Sequence, residues 1–494
     1  MNIVSYSSHF AALAKGAPAS PMVTVVSTTG SVVESVTWAE AETRSTVLAH
    51  ALKHAGCSLG DYVTIALPNS VDFVISALAA WKLGAVPQPV SAGLPARELD
   101  AIVELADSRA VIGVAPERFE GRICWPAAMP PAELCDVPIA TPLPDVVSPA
   151  WKAPTSGGST GRPKLIVSGD PSSFDTEDPG VAAAFGFRPG GTTLMPGPLY
   201  HNGPFIWAFS QLREGGHVVL LERFDASTTL HAIGEFAPEV LYLVPTMMSR
   251  IWKLPASERA AADTRSLTHV WHLAAPCPAW LKHAWLEWLG PERLWELYGG
   301  TEGQSATIVS GVEWLAREGT VGRPISGEMC IMDAAGHPVA AGVVGEVYMR
   351  ADPGRVTYHY RGAEPKTLKD GWESLGDIGW MDEDGFLYLV DRKTDMILSG
   401  GANIYPAEIE AALELHPAVS SSAVIGLPDE DLGQRVHAIV QADAQSAADL
   451  LSFLGEHLAR YKLPRSVEYV AEPLRDDAGK VRRSALLEAR TARA

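Results

Sequence analysis

The sequence is bounded first by what it lacks. Its longest near-continuous apolar stretch, FVISALAAW at 73–81, is about half the ~20 residues that a membrane-spanning helix needs. The opening MNIVSYSSHFAALAKGAP has no basic start followed by an apolar segment, so no secretory signal is expected. Five cysteines (Cys57, Cys124, Cys135, Cys277 and Cys330) are scattered without a CxxC pair. That argues against a zinc or disulfide framework and fits reduced thiols. Positive charge is scarce: 39 Lys and Arg stand against 58 Asp and Glu, for a formal net charge of −19. So acidic a surface does not suit a nucleic-acid partner, whose phosphates require a basic face. A soluble, cytoplasmic protein without a membrane span is expected.

What is present is length and apolar content: 494 residues, 47% hydrophobic, enough for large cores and roughly three structural units. Up to about residue 390, strand-like runs alternate with helix-like segments. YVTIAL (62–67) precedes VDFVISALAAWKLG, HVVLL (217–221) precedes 225–236, and VLYLV (240–244) and HVWHLAA (269–275) continue the rhythm. This order predicts layered α/β sheets with crossover helices. GEVYMR (345–350) and FLYLV (386–390), set among turn residues, predict a β-rich subdomain. A boundary is expected near residue 392, giving a large part at 1–392 and a small α+β part at 393–494. In the latter, YPAEIEAALELHP starts a helix with Pro406 in its first turn and stops at Pro417. SSAVIGLP and VHAIVQA read as strands, and Leu450, Leu451, Leu454 and Leu458 as the apolar face of a second helix.

TSGGSTGRPK (155–164) is too polar for core. Gly157, Gly158 and Gly161 free the backbone to aim N–H groups at a ligand; Ser156, Ser159 and Thr160 add hydroxyls, and Lys164 a charge. The set suits a polyphosphate, yet the P-loop pattern GxxxxGK[ST] fails, because Arg162 and Pro163 intervene and Leu165 replaces the hydroxyl residue. A Gly/Ser spacer is the other reading. Its position between APTS and the apolar LIV favours a hairpin crossing.

With its companions, this loop resembles the phosphate-loop signature of the adenylate-forming superfamily, in the acyl- and aryl-CoA ligase branch. The usual form is TSGTTGxPK, from which Ser156-Gly157 departs. LYHN (199–202), HLAAP (272–276), ELYGGTEG (296–303), SLGDIGWMDEDGFLYLVDRKTDMILSGGANIYPAEIE (374–410) and RDDAGKVRRSAL (475–486) resemble further signatures in the family's order. The resemblance implies a large AMP-binding domain and a mobile C-terminal domain. It also implies a two-step reaction: a carboxylate and ATP give an acyl-adenylate and pyrophosphate, then coenzyme A displaces AMP. The implied cofactors are ATP, Mg2+ and coenzyme A.

By the same resemblance, Ser156 to Gly161 and Lys164 hold phosphates, Glu302 with Thr160 binds the magnesium ion, and Thr301 bonds the α-phosphate. Tyr298, Gly299 and Gly300 flank the nucleotide, with Ala275 and Pro276 as the opposite wall for adenine and Glu296 at its amino group. Asp377 and Arg392 take the ribose. Lys480 bridges carboxylate and phosphate during adenylation, and His201 gates the acyl pocket. Gly400 and Gly401 lie on the face that closes for thioester formation. The hinge, usually Asp or Lys, falls on Thr394 here. GPFIWAFSQL (203–212) lacks the aspartate that would meet an amino acid's ammonium. Trp207 and Phe209, with Gly300 and Trp271, are therefore expected to line a hydrophobic pocket that suits a ring-containing acid. Two alternatives stay open: a carrier protein in place of coenzyme A, and a nucleotide binder that has lost catalysis. Too few residues follow Lys480 for a fused carrier domain. The sequence is silent on oligomeric state, with a homodimer compatible.

Overall fold

The computed structural model describes residues 2–129, 142–157, 163–177, 182–399, 402–443, 449–476 and 479–491. Its centre is a 13-stranded sheet. Pro21–Val26, His217–Leu221, Thr192–Met195, Val240–Leu243, His269–Leu273 and Leu294–Gly299 run parallel in that order. These strands read as continuous Val/Leu runs because helices cover both faces; Val218 to Leu221 and Val240 to Leu243 are almost completely buried. At Leu294–Gly299 the sheet turns antiparallel and continues through Ala306–Ser310, Thr320–Ser326, Leu387–Arg392, Glu373–Met381, Gly345–Arg350 and Glu328–Met332. That run is the strand-rich region expected from GEVYMR and FLYLV.

A second, four-stranded parallel sheet holds Tyr62–Ile65 beside Val86–Pro89 and Ala110–Ile112. FVISALAAW lies in the helix Val71–Lys82, in which every residue but Asp72 is buried; this uninterrupted apolar stretch is a core helix. Asp225 caps the helix Ala226–Phe236 by accepting from the backbone N–H of Thr228, as its short carboxylate side chain suits.

The small part is a five-stranded sheet built on Ser421–Asp429 and Gly433–Gln441, packed by helices Pro406–Glu414, Leu450–His457 and Arg483–Thr491. Leu450, Leu454 and Leu458 are buried, but Leu451 is 52% exposed. The second helix therefore presents a narrower apolar stripe than its leucines suggest. Among the described residues no helix is long and apolar enough to cross a membrane.

Candidate active site

The glycine-rich stretch joins a hairpin. Thr155–Gly157 pairs antiparallel with Pro163–Ser168, with Ser156 opposite Lys164. The crossing itself, including Gly158, Ser159, Thr160, Gly161 and Arg162, lies outside the described residues. A third strand, Tyr358–Arg361, pairs along the far side of Pro163–Ser168 and sets Tyr360 opposite Ile166. Lys164 is thus a diagonal cross-strand neighbour of Tyr360. Its ammonium lies 4.0 Å from the tyrosine ring centroid and donates to the hydroxyl at 2.8 Å. That hydroxyl donates to Oε1 of Glu302 at 2.5 Å, and Lys164 Nζ stands 3.3 Å from the same oxygen. Burial and the Glu302 carboxylate push the Tyr360 phenol well above its ordinary value, so it stays a donor. Beside it, Tyr358 donates to Glu373 at 2.7 Å, and Gln304 donates to the same carboxylate at 2.7 Å.

Glu302 is 6% exposed and follows the strand Leu294–Gly299 through a tight turn. A Cβ on Gly300 would come within 2.3 Å of the Leu375 side chain and 2.9 Å of the Glu302 carboxylate, so any larger residue there would displace one of them. Thr301 is half-buried between them. Among the described residues no group of three or more His, Cys, Asp and Glu could cage a metal. One buried carboxylate fits an ion that arrives with phosphate oxygens and keeps several waters, as magnesium does.

Tyr298 Oη donates to Oδ2 of Asp377 at 2.7 Å, and Arg392 Nε donates to Oδ1 at 3.1 Å. The adjacent strands Glu373–Met381 and Leu387–Arg392 put Asp377 directly opposite Arg392. Three residues 79 and 15 positions from one another in sequence thus meet on one carboxylate. Ala275 and Pro276 follow the strand His269–Leu273, beyond a residue of positive φ, Ala274 (72°); both are partly or largely exposed. Glu296 differs from the expectation of a free adenine contact. Its Oε2 pairs with Lys282, a lysine 1% exposed on the helix Ala279–Leu289, and lies 3.9 Å from His272. A carboxylate 7% exposed needs such a partner, and the lysine supplies it.

His201 precedes the helix Asn202–Arg213, and its Nε2 is buried without a hydrogen-bond partner. Burial, and then the charges of Lys480 and Arg482, pull its pKa down to about 3. The ring is neutral at pH 7, as suits a gate and not an acid. Lys480 belongs to a turn closed by Asp476: the carboxylate accepts from the Lys480 N–H at 2.9 Å. Gly479 sits against Val244 and Thr246 of the large part. Lys480 is exposed as a residue, yet burial of its charged end holds its pKa below the usual lysine value, with Asp476, Arg392 and Glu302 as the charges it feels. Lys480 is therefore brought to the same cleft as Glu302 and His201. Docking is secured by Lys253 donating to the Val419 carbonyl at 2.7 Å and by Arg482 with Glu98 at 3.5 Å.

Two expected pocket residues turn out to be core. Phe209 packs on Phe205 and Trp81 at 4.5 and 4.9 Å. Trp207 is 3% exposed and meets Phe185, Tyr242 and Trp271 edge-on. Trp271 is fully buried and donates to the Phe185 carbonyl. Their faces are consumed by one another, the commoner use of aromatics. Thr394 is exposed in a turn, and Gly400 and Gly401 lie outside the described residues. Tyr360, Tyr358, Gln304, Lys282 and Lys152 escaped the sequence reading. The alternation in TYHY, which puts two tyrosines on one strand face, was the available signal for the first two.

This geometry coincides with comparisons to known proteins. A profile of the AMP-binding enzyme family matches residues 12–358, and one of the AMP-binding enzyme C-terminal domain matches 408–480. A long-chain-fatty-acid–CoA ligase of Mycobacterium tuberculosis is 30% identical over 92% of this chain and 93% of its own length. A fatty acid–[acyl-carrier-protein] ligase of Streptomyces coeruleorubidus is 30% identical over 92% and 91%. The o-succinylbenzoate coenzyme A synthetase of Bacillus subtilis, solved with ATP and a magnesium ion, is 25% identical and superposes with a TM-score of 0.80 over 99% of this chain and 100% of the other. With two ordered family profiles, full-length relatives and the cleft just described, the chain belongs to the AMP-binding enzymes, in the CoA-ligase branch of the adenylate-forming superfamily.

Proposed function

We propose that this protein joins a carboxylic acid with a hydrophobic body, aliphatic or ring-containing, to coenzyme A at the expense of ATP. In the first step a carboxylate oxygen attacks the α-phosphorus, the bond to the β-phosphate breaks, and pyrophosphate leaves. In the second, the thiol sulfur attacks the acyl carbonyl carbon, the acyl–phosphate C–O bond breaks, and AMP leaves while the thiol proton passes to solvent. The first step brings an anion against a polyanion, so fixed donors and cations must stand where charge gathers. The single observation that carries the reading is the network in which Lys164 and Tyr360 meet on the buried Glu302 carboxylate.

In this reading Lys164 and the loop from Ser156 to Gly161 hold the β- and γ-phosphates, and Thr301 the α-phosphate. Glu302, with Thr160, would hold magnesium, which neutralises phosphate charge when bound. Asp377 and Arg392 receive the ribose hydroxyls and Tyr298, Ala275 and Pro276 enclose adenine. Glu296, through the oxygen not used by Lys282, faces its amino group. The large part spans 1–392 and the small part 393–494. Thr394 is the pivot: Lys393 is tied to Glu346 of the large part at 3.0 Å, and Asp395 to Arg483 of the small part at 2.8 Å. Rotation there would replace Lys480 with the Gly400-Gly401 face. The four described cysteines are free, which supports a reducing, cytoplasmic setting.

The test is Lys480→Ala. Adenylate formation, read as pyrophosphate release, should fall at least 100-fold, while thioester formation from supplied acyl-AMP is largely spared. Equal loss in both half-reactions contradicts the assignment. The carrier-ligase relative motivates the second reading. AMP release with coenzyme A, against release with a phosphopantetheinylated carrier protein, separates the two acceptors.

A further inference from the structure

The mechanism leaves one buried cation unused. Lys152, just ahead of the hairpin, is 6% exposed, and among the described residues it makes no ion pair. Its ammonium lies over the Trp151 ring at 4.9 Å and donates to Oδ1 of Asn202 at 2.5 Å. A lone buried ammonium is costly to keep charged. Burial lowers its pKa to about 8, with Asp170 and Glu302 as the charges that oppose the fall. So expensive a group, bonded to the neighbour of the His201 gate and within the field of Glu302, calls for a role.

The chemistry of the pair dictates its orientation. A lysine ammonium has three donors and no acceptor, so the amide of Asn202 must turn its oxygen to Lys152. Its nitrogen, with two N–H donors, then faces away. Asn202 is half-buried, and no described residue accepts from Nδ2. Asn202 opens the helix Asn202–Arg213, and His201 beside it feels both Lys480 and Arg482. The free donors belong to the residue next to the His201 gate, which itself lies within reach of Lys480, so they stand near where the acid's carboxyl end would lie in the proposed reaction.

We propose that Lys152 is a positioning residue that locks the Asn202 amide with its N–H donors presented to the substrate, selecting acids that carry a hydrogen-bond acceptor (hydroxyl, carbonyl or ether oxygen) on the carboxyl-bearing carbon or the carbon beside it. The proposal deepens the ligase reading and rests on it. The same arrangement disfavours an α-ammonium group, which would meet donors and a buried cation instead of an acceptor, the repulsive half of a specificity device. A site that hydrogen-bonds a substrate oxygen discriminates far more sharply than an apolar wall.

The experiment measures pyrophosphate release with matched acids: 2-hydroxybenzoate against 2-methylbenzoate, and 2-hydroxyoctanoate against 2-methyloctanoate, with 2-aminooctanoate as the ammonium arm. In the wild-type protein kcat/KM should favour the hydroxy over the methyl acid at least tenfold in the pair that is turned over, and reject the amino acid. Asn202→Leu should collapse the ratio toward one, mainly through KM of the acid, leaving KM of ATP unchanged. Lys152→Met frees the amide to flip and should reduce the ratio at least threefold, and Lys152→Arg should restore most of it. A purely structural lysine would instead change kcat for every acid alike. A wild-type preference for the methyl acid, or a ratio unaltered in both Asn202→Leu and Lys152→Met, overturns the proposal. Absence of release with every carboxylic acid overturns the ligase reading itself and this assignment with it.

Discussion

Tyr360 offers the sharpest test of the phosphate end of the site, because one hydroxyl joins a cation to a carboxylate. Tyr360→Phe deletes the 2.8 Å bond from Lys164 and the 2.5 Å bond to Glu302 and leaves the ring in place under the ammonium. Bonds to charged groups are worth about 1.5–3 kcal/mol each. Water can replace part of that loss, and Lys164 keeps its 3.3 Å contact with Glu302. A net loss of about 2 kcal/mol follows, or roughly 30-fold in an equilibrium constant. Since the hydroxyl positions both groups before and during reaction, the deficit should fall chiefly on KM for Mg-ATP with a smaller change in kcat. The assay is pyrophosphate release over a range of Mg-ATP at saturating acid, with a thermal melt to verify folding. Tyr360→Leu, which also removes the ring, should lose a further factor of about 3–5 from the cation–π contact. If Tyr360→Phe folds normally and keeps kcat/KM for ATP within twofold of wild type, the network does not position the phosphate groups, and the reasoning fails.

Two further outcomes follow from buried charge. Lys282→Met strands the Glu296 carboxylate, 7% exposed, without its partner; denaturant unfolding should show a loss of about 3 kcal/mol. Lys282→Met with Glu296→Gln should recover most of it, and a double mutant as unstable as the single would refute the pairing. His201 gives a pH test: its folded pKa of about 3 lies below the ordinary 6.5, so the unfolded chain takes the proton first. Its contribution to stability is therefore complete above pH 6.5 and is lost as pH falls toward 3, at pH 5 by at most about 2 kcal/mol. His201→Phe should flatten the stability difference between pH 7 and pH 5 and leave the pH–rate profile between 6 and 9 unaltered in shape. A new limb in that profile would make His201 a proton carrier.

The parts of this molecule that could be read from sequence are those in which chemistry and chain order coincide. Lys164, Thr301, Glu302, Asp377, Arg392 and Lys480 lie in short ordered stretches that resemble family signatures, and it is that resemblance, not local composition, that assigns their roles. The β-then-α rhythm likewise survives in the sequence, because buried parallel strands must be apolar along their whole length. Tyr360, Lys152 and Lys282 acquire meaning only through partners 58, 50 and 14 residues away, and nothing in the local run of residues specifies such a pairing. The aromatic helix at 202–213 failed for a related reason. Periodicity places Trp207 and Phe209 on buried faces, but burial against other rings and burial against a ligand leave the same pattern. Leu451 shows the converse, an apolar residue at helical spacing left in solvent.

The charge distribution reconciles an acidic protein with polyanionic substrates. The chain carries a net charge of −19, yet one lysine touches the buried Glu302 carboxylate and two more lie within its electrostatic reach. Lys164 contacts Glu302 directly, and Lys152 and Lys480 both have their protonated forms favoured by it. Burial outweighs the nearby carboxylates, Asp170 and Glu302 for Lys152 and Asp476 and Glu302 for Lys480, so both lysines lie below the ordinary lysine pKa. A triphosphate entering the cleft supplies the missing negative charge, so its binding relieves a repulsion already built into the folded protein. In the proposed reaction the position of Lys480 on the small part would make that relief conditional: the cation would leave once pyrophosphate has gone, when the charge it was needed for has left as well. A cleft arranged in this way binds the anions of the first step tightly and has reason to open for the second.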